Sequence, residues 1–161
     1  EKEVSVLVNN AAIFKPINFF ETKFKDWEHH FAINLTTPFL LSQLIANNLG
    51  MQKGRIINLI DWRALRPGKD HFPYSISKAA LAAMTKAMAL SLAPNIVVNG
   101  LALGAILPPS DGGSIDNIIE QVPAGRWAEL DEVGKVFLFL LVGPEYVTGE
   151  IIQIDGGRHL V

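Results

Sequence analysis

The sequence contains no cysteine. That absence excludes a disulfide framework, a thiolate metal site and a cysteine nucleophile, and it fits a reducing, cytoplasmic setting. Positive charge is not in excess either: 14 Lys and Arg stand against 16 Asp and Glu, and no Lys/Arg cluster occurs. Nucleic acid is therefore not an expected partner. The longest apolar run, Val136 to Val142, is too short to span a bilayer, so no membrane partner is expected. His29 and His30 are adjacent, which directs them to different faces of a helix, and no carboxylate–histidine cluster lies near them in the chain. No metal site is expected.

What is present describes a globular chain. Of 161 residues, 49% are hydrophobic and 19% charged, and the chain reads as one domain over 1–161. The mean hydropathy of +0.25 is high, which assigns the apolar surplus to a core or to a large subunit interface. The opening Glu-Lys-Glu-Val resembles neither a signal peptide nor a translation start, so further chain is expected ahead of it.

The hydrophobic period changes several times. Val4 to Val8 is a short β-branched run and predicts a strand buried on both faces. Residues from Asp26 to Asn48 carry Phe31, Leu35, Phe39 and Leu44 near helical spacing, and Pro38 should kink that helix or loosen a turn. Arg55 to Ile60 predicts a second strand. Tyr74 to Ala93, dense in Ala, Leu, Met and Lys and stopped by Pro94, is the strongest helix. Ile96 to Gly100 predicts a third strand. A Gly/Pro-rich loop over 102–113, a short helix around Ile115 to Gln121, a helix from Glu129 to Leu141 and a strand from Glu150 to Ile154 complete the chain. This alternation is that of an α/β fold with a doubly wound, Rossmann-like parallel sheet, of which four strands form only a part. Uniform right-handed crossovers would put Asn9, Asp61 and the 102–113 loop on one edge, where ligands bind in such folds.

Tyr74 and Lys78 are four residues apart and share one helix face. An ammonium beside a phenol lowers the phenol's pKa and makes it a usable acid–base group. The pair alone is only suggestive, because two tyrosines and nine lysines produce it by chance about one time in ten. It is accompanied, in order, by Asn9-Asn10-Ala11-Ala12, Asn34, Asp61, Asn99-Gly100-Leu101-Ala102-Leu103-Gly104, Thr148-Gly149 and Asp155-Gly156-Gly157.

In that order and spacing these residues resemble the C-terminal two thirds of the short-chain dehydrogenase/reductase family. The family's glycine-rich phosphate-binding turn has no counterpart here. The resemblance implies an NAD(P)H-dependent reductase, with NADP(H) favoured over NAD(H), that assembles as a homotetramer through the long helix from Asp26 and the Tyr74 helix. It implies that Tyr74 is the proton donor and that Lys78 lowers its pKa and holds the nicotinamide ribose. Asn34 would hold a water linking Lys78 to solvent. Asn9, Ala11 and Ala12 would line the path of the adenosine half, with Asn9 also tying neighbouring strands. Gly104 and Ile106 would pass close to the nicotinamide.

Two residues depart from the usual pattern: Asp61 replaces a serine, and Leu103 a proline. Asp61 reads either as a carboxylate that caps a turn, in an ordinary or inactive relative, or as the aspartate of the pteridine reductase branch. In the second case the substrate is a pterin or folate, whose C=N bond and amino-oxo edge suit a carboxyl group. Phe14 is then the aromatic that stacks on the pterin; otherwise it is a core phenylalanine. Leu103, Leu107 and Pro108 would sit on an apolar substrate loop. His71 reads as an exposed loop histidine, and Trp62 and Arg63 as candidates for the pocket mouth. The alternatives are a carbonyl reductase or alcohol dehydrogenase of the same family, and a catalytically silent nucleotide-binding relative.

Overall fold

Four parallel strands pair in sequence order: β1 (Val6–Asn9), β2 (Gly54–Asp61), β3 (Ile96–Leu103) and β4 (Ile151–Ile154). This is seen in a computed structural model that describes residues 4–107 and 116–161. The helices are α1 (Phe24–Phe31), α2 (Thr37–Leu49), α3 (Phe72–Leu92), α4 (Asp116–Ile119) and α5 (Leu130–Val142). The α/β layering with helices on both faces is as expected; Pro108 and Ile115 lie outside the described residues.

Strand residues of one parity face α2 and α3: Ile56 and Val98 pack on Ile45, Leu49 and Ala89, and Ile60 and Ala102 on Leu81 and Ala82. Residues of the other parity, Ile57, Leu59, Leu101 and Leu103, pack with Leu140 of α5. All three connections step the same way across the sheet, yet the third runs over the opposite face. It therefore has the opposite hand to the first two, contrary to the uniform handedness expected. The placement of α5 is fixed by the packing of Leu140 with Ile57 and Leu101.

Three further expectations change. The first strand is not buried on both faces: Val4 and Val8 are exposed, since β1 is an edge strand among the described residues with one face uncovered. The third strand runs on to Leu103, because Leu101 and Leu103 alternate onto the α5 face. The Tyr74 helix begins at Phe72, with Pro73 in its first turn, where a missing N–H costs nothing.

The loosened turn lies just before Pro38. Residues Ala32–Thr36 form a π-helical turn, and Thr37 bonds Ala32 O through both its backbone N–H and its hydroxyl, the latter at 2.9 Å. A regular helix would drive the Pro38 ring into the Asn34 carbonyl; widening the turn avoids that clash.

A polar seam crosses the buried sheet. Asn9 Nδ2 donates to Asn58 Oδ1 at 2.8 Å, and Asn58 Nδ2 donates to Thr85 Oγ1 at 2.8 Å. Thr85 in turn donates to Leu81 O at 2.8 Å. At the other end of the sheet Arg55 donates to Leu140 O at 3.0 Å and to Gly143 O at 2.6 Å, capping α5. Replacing Asn58 with Ala would leave Asn9 only its longer bond to Ser42 Oγ at 3.4 Å and take from Thr85 its buried donor; the loss expected in urea unfolding is about 2–4 kcal/mol.

Candidate active site

Parallel pairing brings Asn9, Asp61, Leu103 and Ile154 to one edge of the sheet. Asp61 ends β2 and each of its oxygens has a task. Oδ1 accepts from the Arg63 N–H at 2.8 Å and caps the single turn Trp62–Ala64. Oδ2 accepts from the Tyr74 hydroxyl at 3.0 Å. Asp61 is thus both a turn cap and a partner of the tyrosine. Phe14 is no core residue: it is 52% exposed and meets the Tyr74 ring edge-on at 4.7 Å.

Tyr74 and Lys78 are both buried on the sheet-facing side of α3. Lys78 Nζ donates to Leu59 O at 2.6 Å and lies 5.9 Å from the Tyr74 ring centroid. Burial pushes the lysine down to about 8, with the Asp61 charge opposing. The tyrosine moves the other way. Burial, then the charge and hydrogen bond of Asp61, push its pKa well up, and only Arg63 counteracts them. The lowering of Tyr74 by Lys78 that the sequence predicts is therefore not what the protein's own groups produce. The nearest charge to the phenol is a carboxylate, which favours keeping the proton on oxygen.

Asn34 is fully buried, with its side chain committed to protein groups. Its Oδ1 accepts from Ile13 N at 2.8 Å, and its Nδ2 donates to Ile13 O and to Ser77 Oγ, both at 3.0 Å. Its side chain thus positions the loop after β1 against α3. Asn9 is buried and ties β1 to β2, as expected, while Ala11 and Ala12 lie exposed just beyond β1. Ile106 is partly buried.

Gly104 and Leu103 each have a place in the packing of the fold. A Cβ on Gly104 would sit 2.5 Å from the Asp155 Cα, so this glycine admits the turn after β4. Leu103 packs in the α5 cluster as the last residue of β3.

His71 is buried rather than exposed. Its ring stacks on Phe14 at 4.1 Å and its Nδ1 lies 2.8 Å from Asp70 Oδ2, too obliquely for a well-formed hydrogen bond. Its burial followed from Phe14, which no local pattern around position 71 announces. Trp62 is also buried, with the guanidinium carbons of Arg63 and Arg158 at 4.8 and 4.3 Å from its ring. Arg158 was not singled out by sequence; its place directly after Gly156-Gly157 was the available signal. His29 is exposed and His30 buried, and among the described residues no three His, Asp or Glu side chains gather as a metal site. No helix among them is long and apolar enough to cross a membrane.

Residues 2–159 match the family described as Enoyl-(Acyl carrier protein) reductase. The chain is 35% identical to the 3-oxoacyl-[acyl-carrier-protein] reductase FabG of Aquifex aeolicus, over 96% of the chain and 65% of that protein. It is 32% identical to the 2-dehydro-3-deoxy-D-gluconate 5-dehydrogenase of Bacillus subtilis, over 97% and 65%. Among solved structures it resembles FolM Alternative dihydrofolate reductase 1 from Brucella canis complexed with NADP. That match has a TM-score of 0.89 and 34% identity, covering 99% of the chain and 64% of that structure. The chain thus spans about 65% of the length of its curated relatives.

The buried lysine sets a pH dependence. Its folded pKa of about 8 lies below its value of roughly 10.4 in an unfolded chain. Its buried charge opposes folding below about pH 8, and the penalty is relieved as pH rises from there towards 10.4. In urea unfolding, stability relative to Lys78→Met should increase across that interval; a flat difference would mean that the ammonium is not strained.

Proposed function

The chain belongs to the short-chain dehydrogenase/reductase family, and we propose that it carries the catalytic part of an NADPH-dependent reductase of a pterin or folate C=N bond. The observation that carries this reading is the hydrogen bond from Tyr74 to the Asp61 carboxylate, with Phe14 edge-on to the same tyrosine. The likeness to a FolM dihydrofolate reductase holding NADP supports it.

The residues suit the cofactor. Lys78 has three N–H groups and uses one, on Leu59 O, among the described residues; the other two are free for ribose hydroxyls. Ala11 and Ala12 present small exposed side chains where the adenosine half would pass, and Asn9 holds the end of β1 in register. Ile106 would lie beside the nicotinamide, which supplies hydride when bound. Tyr74 gives its proton to the substrate ring nitrogen. Its raised pKa keeps that proton in place at neutral pH until charge develops on the nitrogen. Asp61 accepts hydrogen bonds from the amino-oxo edge, which a serine would do less well. Phe14 offers a planar substrate one face, since His71 occupies the other.

Tyr74→Phe should lower kcat about 10²–10⁴-fold while NADPH affinity, read by fluorescence, stays nearly the same. Asp61→Ser should lose pterin turnover and gain weak ketone reduction. Both are measured by NADPH oxidation with dihydrobiopterin, dihydrofolate and a simple ketone. Ketone turnover without pterin activity would replace this reading with the carbonyl reductase one, which the FabG and gluconate dehydrogenase relatives favour.

A homotetramer built on α2 and α3 is part of the same proposal. Phe39, Leu40, Leu41 and Leu44 of α2 are exposed, as are Ala83, Ala87 and Leu90 of α3. Small residues on one helix beside large ones on the other allow close two-fold packing. Met84 instead packs into the core beside Ile60 and Leu81, so only Ala83 probes the surface cleanly. Ala83→Glu should dissociate the assembly in sedimentation; a wild type that sediments as a monomer at micromolar concentration removes the tetramer.

A further inference from the structure

Arg158 is the charged side chain whose burial the fold accounts for least. It is 8% exposed, and its guanidinium lies on the Trp62 ring. Its side chain has one polar partner among the described residues, Gln121 Oε1 at 3.3 Å from Nη2, and its buried Nε has none. No described carboxylate reaches ion-pairing distance. Arg63 shares the same indole. Its Nη2 meets Asp70 at 3.2 Å, but its own Nε is also buried without a partner. Arg63 lies 5.5 Å from the Phe14 ring, which touches Tyr74.

Two guanidinium groups on one aromatic, each with an unmatched buried N–H, form an arrangement that is unfavourable until an anion completes it. The planar fork of arginine matches a carboxylate or phosphate in two-point contact. Both guanidinium groups lie within 5 Å of the same indole ring, at 4.8 and 4.3 Å, which brings them to one place.

We propose that Arg158 and Arg63 form an oxyanion subsite beside the catalytic pair, and that it takes a carboxylate on the part of the substrate remote from the reacting bond. This rests on the reductase reading above. The same chemistry would fit a phosphate of the cofactor, so the test separates the two.

The protein is compared with its Arg158→Gln and Arg158→Met variants, using NADPH as reductant. Dihydrofolate, whose tail ends in carboxylates, and dihydrobiopterin, whose tail is uncharged, present the same reducible ring. The ratio of kcat/KM for dihydrofolate to that for dihydrobiopterin should fall about tenfold or more in both variants, mainly through KM. An unchanged ratio overturns the proposal, and so does a loss confined to NADPH affinity. A second arm is independent of the reaction. Citrate should raise the Tm of the wild type more than that of either variant; equal shifts overturn the subsite. If neither pterin is turned over while the citrate shift depends on Arg158, the subsite stands and the pterin reading falls. Should both Arg158 variants fold poorly, Arg63→Gln serves in the same comparisons.

Discussion

The geometry at the sheet edge depends on where one buried amide is held. Asn34 grips the backbone of Ile13 at both its N–H and its carbonyl, and reaches Ser77 with its remaining proton. Ile13 precedes Phe14, and Ser77 precedes Lys78. One side chain therefore sets the loop that carries Phe14 against the helix that carries Tyr74 and Lys78. The amide reaches both because the preceding helix widens by one residue ahead of Pro38. A proline that looks like a defect in a helix is the reason the turn opens, and the opened turn aims Asn34.

Around this clamp the electrostatics oppose one another in a productive way. Burial, joined by Asp61, holds the proton on Tyr74, and burial makes Lys78 give up its own proton more readily than a solvated lysine does. The usual ordering of the two groups, with the phenol near 10 and the ammonium slightly above it, is pulled apart. The phenol becomes the group that keeps its proton and the amine the group able to exchange one near neutral pH. In the proposed reaction, charge developing on the substrate nitrogen would then be the event that releases the phenolic proton. Separation of this kind between neighbouring titratable groups marks sites of acid–base chemistry more often than structural ion pairs.

Most of the framework was legible in the sequence because it is written in local period. The strands beginning near Arg55 and Ile96 and the helix from Tyr74 are long, strongly patterned runs. The Tyr74–Lys78 spacing placed both side chains on one face without any knowledge of the tertiary fold. What escaped depends on contacts between distant segments. Leu103 looked like a loop residue until α5, more than 25 residues on, was seen to cover it. The sequence did not reveal that the missing Cβ of Gly104 makes room for Asp155. His71 and Arg158 carry no pattern of their own; each is buried by an aromatic ring contributed from elsewhere, Phe14 in one case and Trp62 in the other. The exposure of Val4 and Val8 was missed for the opposite reason, since apolar character says what a residue prefers and not whether anything covers it.

Arg55 gives the molecule a mechanical asymmetry. Its guanidinium fastens the last carbonyls of α5 to the start of β2, and the neighbouring Lys53–Glu145 pair adds a second tie. These ties lie at the end of the sheet opposite to Asp61 and Tyr74. The fold is thus riveted at one pole and left to loops and short turns at the other. Amide hydrogens near the rivets exchange only when larger units open, whereas those around Phe14, His71 and the Trp62 turn exchange through smaller local openings. The proposed reductase activity would draw on such a gradient, since ligand would enter and leave at one end without loosening the pole that keeps the strands in register.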